Sequence, residues 1–134
     1  MNVRFPPLLF RLVCVALCTA FFYSGVSKLV DFDAALGEAA HFGLQPAWLF
    51  AAGIIVTQLG GSALTVFASG RWQALGAIAL AGFTIIATPI GHAFWTMQGM
   101  DRFHNLNSFL EHIGLVGGLM LVACIAGWNR GEDG

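Results

Sequence analysis

The sequence predicts an all-α membrane protein: four spanning helices in one bundle, with a short amphipathic helix on the outer end between the first and second spans. Three observations lead there. Apolar side chains make up 57% of the 134 residues and charged ones 10%, against about 45–50% and about 25% in soluble domains. Four apolar runs each reach the ~20 residues needed to cross a hydrocarbon core. The charged residues fall mostly between or beside these runs. Lipid offers no partner to a peptide group, so each run must close its own hydrogen bonds as a helix. Four spans use about 80 residues, which leaves residues 1–134 as a single domain.

The first run covers residues 8–26. Arg4 and Arg11 before an apolar stretch ending Cys18-Thr19-Ala20 also fit a cleaved leader. The run continues through Phe21-Phe22-Tyr23 to Lys28, which favours a retained span. A lipoprotein reading of Val15-Ala16-Leu17-Cys18 fails on the bulk of Leu17. Between residues 27 and 46, Asp31 or Asp33 can cap a short helix with Phe32, Leu36 and Ala39 at helical spacing. Gly43 and Pro46 supply its stop. This helix is expected to lie on the outer end of the bundle.

The second run covers residues 47–67, and the turn Ala68-Ser69-Gly70-Arg71 leads into the third, 74–95. Pro89 inside the third run removes one backbone hydrogen bond and predicts a kink, with Thr84 and Thr88 placed to satisfy freed carbonyls. A loop from Thr96 to Asn105 precedes the fourth run, 106–127. Helices in lipid associate through close backbone approach. Gly53, Thr57, Gly60 and Gly61, then Gly76 and Gly82, then Gly114, Gly117 and Gly118 are therefore read as packing positions, not as a phosphate loop.

Four spans put both termini on one side, which carries Arg4, Arg11, Arg71 and Arg130; the opposite loops carry Lys28 and Arg102. Positive residues stay inside, so the termini are expected in the cytoplasm. Trp48 and Trp95 then mark the outer interface and Trp72 and Trp128 the inner one. With six Lys and Arg scattered singly and a net charge of -1, no basic patch follows a phosphate backbone. Nucleic acid is not a partner; the lipid bilayer is, together with a protein partner or a second copy of the chain.

All four histidines, His41, His92, His104 and His112, belong to the expected outer side. Ionisable groups at membrane depth are functional candidates, and His92, Glu111 and His112 fall within about two turns of the outer ends at ~1.5 Å per residue. Imidazoles near a carboxylate can pass protons, donate to a quinone carbonyl, or bind a metal or haem iron. None shows tight ligand spacing, and no metal site is assigned. Glu111 has a second reading, since Ser108-Phe109-Leu110-Glu111 is a capping box. If the last helix starts earlier, near Asp101, then His104, Ser108, Glu111 and His112 share one broad face. Lys28 closes the first span beside a potential anion, Asp31 or Glu111, as a salt bridge or as part of a site.

The remaining polar residues have structural readings. Gln58 can hydrogen-bond across the bundle, and Arg11 can snorkel. Cys14, Cys18 and Cys124 read as small packing residues, and without an outer cysteine a C-x-x-C oxidoreductase is unsupported.

The segment Phe22-Tyr23-Ser24-Gly25-Val26-Ser27-Lys28-Leu29-Val30-Asp31 resembles the end of the first helix in DoxX-type membrane proteins, with its aromatic-Ser-Gly-x-x-Lys pattern. The resemblance extends through Phe42-Gly43-Leu44-Gln45-Pro46, Gln58-Leu59-Gly60-Gly61, His92-x-Phe94-Trp95 and residues 107–118, in order. One departure is Gln58, where the family usually has a glutamate; an amide cannot titrate. The resemblance implies a four-helix bacterial inner-membrane protein in a redox-related, quinone-linked complex, without independent catalysis. On that reading His92 with Glu111 or His112 meets the quinone oxygens, Trp95 forms a wall, and Lys28 and Arg102 tune the charge. The alternative is a non-catalytic scaffold or assembly factor whose polar residues cap helices and grip another protein.

Overall fold

The computed structural model describes residues 5–132, with side chains for residues 5–127. The expected roles of Arg4, Trp128 and Arg130 concern side chains outside that description. The described chain is helical with short connections: α1 (Pro7–Val30), α2 (Phe32–His41), α3 (Ala47–Phe67), α4 (Gly70–Gly91), a 3-10 turn (Phe94–Thr96) and α5 (Gly99–Glu132). Four of these, α1, α3, α4 with its 3-10 extension, and α5, are long and apolar enough to cross a membrane.

The helices outrun the apolar stretches at several ends. α1 continues to Val30 and α4 begins at Gly70. The largest departure is α5, which starts at Gly99, so most of the stretch expected to be a loop is helix. Hydropathy marks where lipid would be, whereas hydrogen bonding decides where a helix ends, and a polar first turn is no obstacle outside the hydrocarbon. Conversely, α4 stops at Gly91, before the expected 95. It runs through Pro89 and ends two residues later, and the chain is redirected into the 3-10 turn. Thr84 and Thr88 do not serve the carbonyl that Pro89 frees, which is that of Ile85. Their hydroxyls bond Leu80 O and Thr84 O, each one turn back.

Asp31 caps α2 by accepting from Ala34 N at 3.1 Å. At the other end Gly43, at φ +72°, lets its own N–H reach Ala40 O and that of Leu44 reach Ala39 O. That pair of bonds is a Schellman stop, available to glycine because the left-handed region costs it nothing. α2 buries Ala35 and Ala39 rather than Phe32, which is 36% exposed.

α3 packs between α1 and α4, and α4 between α3 and α5, while α1 meets α5 only sparingly. Half of the bundle is a close-packed core in which small side chains, Cys14, Cys18, Ala77, Ala81 and Ala123, surround Leu80 and Leu119. Close approach is built on four glycines. A Cβ on Gly76 would stand 2.8 Å from Gly61 O, one on Gly61 2.8 Å from Leu80, one on Gly118 2.8 Å from Leu17, and one on Gly25 2.8 Å from Leu59. Gly53, Gly60, Gly82, Gly114 and Gly117 were expected in the same role, but a Cβ there meets nothing within 4 Å. They occupy open helix faces, because a glycine count along a helix does not say which face meets a neighbour.

Polar groups support this half. Gln73 Nε2 donates to Thr65 O at 2.9 Å and Thr65 Oγ1 to Gly61 O at 2.7 Å, both buried. Arg11 donates to Val66 O, and to Ala68 O at 3.3 Å, at the end of α3. The guanidinium thus meets carbonyls that have no partner inside the helix.

Candidate functional site

The other half of the bundle is not filled. A cavity of about 460 Å³ lies among α1, α2, α3, α4 and α5, within the range of small-molecule sites. Phe21 and Phe83, ring centroids 6.4 Å apart at 71°, line it and also pack on the core, so this aromatic pair is the boundary between the two halves. Leu44, held by the stop of α2, and Phe42, Phe50, Ile54 and Ile90 add apolar wall.

Polar groups enter this wall from all five helices. At the end of α1, Lys28 Nζ donates to Ser24 Oγ at 2.7 Å and faces Glu38 Oε2 of α2 at 3.7 Å. Neither expected partner, Asp31 or Glu111, forms this pair. Asp31 is spent on its cap, and α2 turns Glu38 back over the end of α1. With Glu38 54% exposed, such a pair contributes at most about 1 kcal/mol; its consequence is position.

Gln58, 5% exposed, stands about 16 Å into α3 at ~1.5 Å per residue. It lines the cavity, and its Oε1 is buried without a hydrogen-bond partner. Ser62 Oγ, one turn on, is also buried and unpaired. An unmet buried acceptor costs on the order of 1–3 kcal/mol, and among the described residues Gln58 Oε1 does not make the interhelical bond expected of it.

His92 and His112 meet across the cavity wall with ring centroids 5.0 Å apart at 71°. His92 caps the end of α4, its N–H bonded to Thr88 O at 2.8 Å, and its Nδ1 lies 2.9 Å from Asn105 Oδ1. Asn105 Nδ2 donates to Asp101 O at 2.9 Å, which turns the amide oxygen toward His92. His112 Nδ1 lies 3.0 Å from Thr88 Oγ1. His112 is about 20 Å into α5 at ~1.5 Å per residue, farther along its helix than the apolar run suggested.

The other expected site residues stand apart. Glu111 is exposed and outside the cavity. It cannot close a capping box with Ser108, because α5 begins well before both. Nor does it share the direction of His112, its immediate neighbour on the helix. Trp95, 54% exposed, packs edge-on to Phe94 and Phe109 on the outside. Arg102 lies over the Phe94 ring at 6.0 Å. His41 packs edge-on to Phe42 and His104 edge-on to Phe103. Thus the structure brings Lys28, His92 and His112 together and leaves out Trp95, Glu111 and Arg102. It adds Ser24, Glu38, Gln58, Thr84, Thr88 and Asn105. The i, i+4 spacing of Ser24 and Lys28 was readable; the pairing of Asn105 with His92 depends on where α4 stops.

Among the described residues no three His, Cys, Asp or Glu side chains gather closely enough to hold a metal ion. The arrangement offers a mostly apolar chamber with two imidazoles and an unmet amide on its wall. A family model, DoxX, matches residues 7–93. No curated protein and no solved structure matches the chain.

Proposed function

The chain belongs to the DoxX family, and from that premise we propose that this multi-pass membrane protein is a quinone-binding subunit of a redox-related membrane complex. The observation that carries the reading is the cavity of about 460 Å³ with His92 and His112 on its wall. The residues fit such a ligand: apolar and aromatic side chains suit a ring and the start of a prenyl tail, and each imidazole retains Nε2 for a ring oxygen. The unpaired Oε1 of Gln58 gives a further polar contact in the same chamber.

A bound quinone supplies a carrier of two electrons and two protons. The chain's own residues bind and orient it. Phe21, Phe83 and Phe50 exclude water from the ring, His92 and His112 hold or accept a proton at Nε2, and Lys28 with Glu38 sets the charge beside them. Gln58 takes no part in proton transfer, because an amide does not titrate. Electrons come from a partner protein, and the chain has no independent catalysis.

Placement completes the proposal. The protein lies in a bacterial inner membrane as one domain, residues 1–134, with both termini in the cytoplasm. α2 lies as an amphipathic helix on the outer end, and the cavity opens there. The second reading, a scaffold or assembly factor, draws on Gly53, Gly60, Gly114 and Gly117, whose open faces suit a partner helix.

The test is purification from native membranes in mild detergent, followed by solvent extraction and identification of co-purifying proteins. Stoichiometric quinone, in its oxidised or reduced form, is the expected result. A quinone-free protein in a stable complex with a partner overturns the first reading in favour of the second.

A further inference from the structure

We infer that the cavity selects the reduced, hydroxyl-bearing form of its ligand over the oxidised, carbonyl-bearing form; this rests on the reading of the cavity as a quinone site. The argument is one of hydrogen-bond direction. Thr88 Oγ1 lies 2.6 Å from Thr84 O, and a carbonyl only accepts, so the single hydroxyl proton of Thr88 is committed there. At its 3.0 Å contact with His112 the hydroxyl must then accept, and His112 Nδ1 carries the hydrogen. His92 reaches the same state by a separate route. Asn105 is oriented by the bond from its Nδ2 to Asp101 O, so its Oδ1 accepts and His92 Nδ1 donates.

Both neutral imidazoles therefore leave an unprotonated Nε2, an acceptor, as the atom free for a ligand. The third unmet polar atom on the wall, Gln58 Oε1, is an acceptor too. A ligand hydroxyl completes such a site. A ligand carbonyl sets lone pair against lone pair and leaves the acceptors unpaired. The loss of one buried hydrogen bond of this kind weakens binding by about tenfold or more.

The experiment uses the full chain in phosphatidylcholine nanodiscs, whose headgroup has no hydroxyl donor, at pH 8, where an ordinary imidazole is neutral. Its probes are ubiquinone with one isoprenoid unit and the corresponding ubiquinol kept reduced without oxygen, with affinity read by equilibrium dialysis. The quinol is expected to bind at least about tenfold tighter. Thr88→Val frees His112 Nδ1 from its acceptor and should narrow that preference. Thr57→Val removes a hydroxyl bonded within α3 at Gly53 O, away from the cavity, and should leave it unchanged.

Equal affinities, or tighter binding of the quinone, overturn the inference while the quinone-site reading stands. Binding of neither probe removes both. Nitrogen-15 spectra of histidine-labelled protein read the tautomers without any variant: hydrogen on Nδ1 of His92 and His112 supports the inference, and hydrogen on Nε2 alone overturns it.

Discussion

Glu111 and His112 are adjacent in the chain, yet at 3.6 residues per turn their side chains leave α5 about 100° apart. One faces out and the other lines the cavity. The difference separates two substitutions that look alike from sequence. His112→Ala is expected to weaken quinol binding by tenfold or more, whereas Glu111→Ala should leave it within about twofold; dialysis against the same quinol measures both. Equal losses would place the ligand outside the chamber described. The carboxylate that does reach the chamber, that of Glu38, has no sequence signature. It is brought to Lys28 by the reversal between α1 and α2, and a pairing across a turn depends on the angle between two helices. Asn105 and His92 are similarly hidden, separated by a 3-10 turn whose course follows from the early end of α4 at Gly91.

Among the elements, the contact between α3 and α4 rests on Gly61 and Gly76. A methyl group at Gly76 would lie 2.7 Å from Leu64 Cβ, 2.8 Å from Gly61 O and 2.9 Å from Thr65 N. Two of those three atoms are backbone, so the helices must separate. Gly76→Ala is therefore expected to cost roughly 1–3 kcal/mol of stability, as overpacking does, with a lower thermal midpoint in detergent. Gly60→Ala, where a Cβ meets open space, should leave that midpoint unchanged or raise it slightly, since alanine is the better helix former. A comparable loss in both would mean that Gly60 is also packed, against a partner or a second copy. The existence of the long helices and the short one between the first two was legible from hydropathy, from Asp31 and from Gly43. The early start of α5 was legible only as the alternative of a helix beginning near Asp101, because Asp101, Arg102, His104 and Asn105 precede the apolar run and hydropathy alone reads them as a loop.

At the scale of the whole molecule, the distribution of positive charge predicts which end of the bundle faces the cytoplasm. Arg11 and Arg71 belong to the end opposite the cavity and Lys28 and Arg102 to the cavity end, so the positive-inside rule predicts the cavity end on the outer side. Fusing green fluorescent protein or alkaline phosphatase to the C-terminus tests this: fluorescence without phosphatase activity is expected, and the reverse pattern would turn the molecule over. The sequence by itself determined that this is a four-span, all-helical membrane protein of the DoxX family. Apolar length and ordered local motifs are properties of single segments, and lipid leaves such segments no structure but helix. The tertiary structure alone decided that one half of the bundle is solid and the other hollow, and that His92 and His112 face each other while Glu111 turns away. It also set which ring nitrogen each histidine keeps free. Those outcomes depend on where helices stop, how closely two glycines let them approach, and which hydroxyl or amide stands opposite each ring. All three are relations between segments distant in the chain, on which hydropathy and spacing are silent.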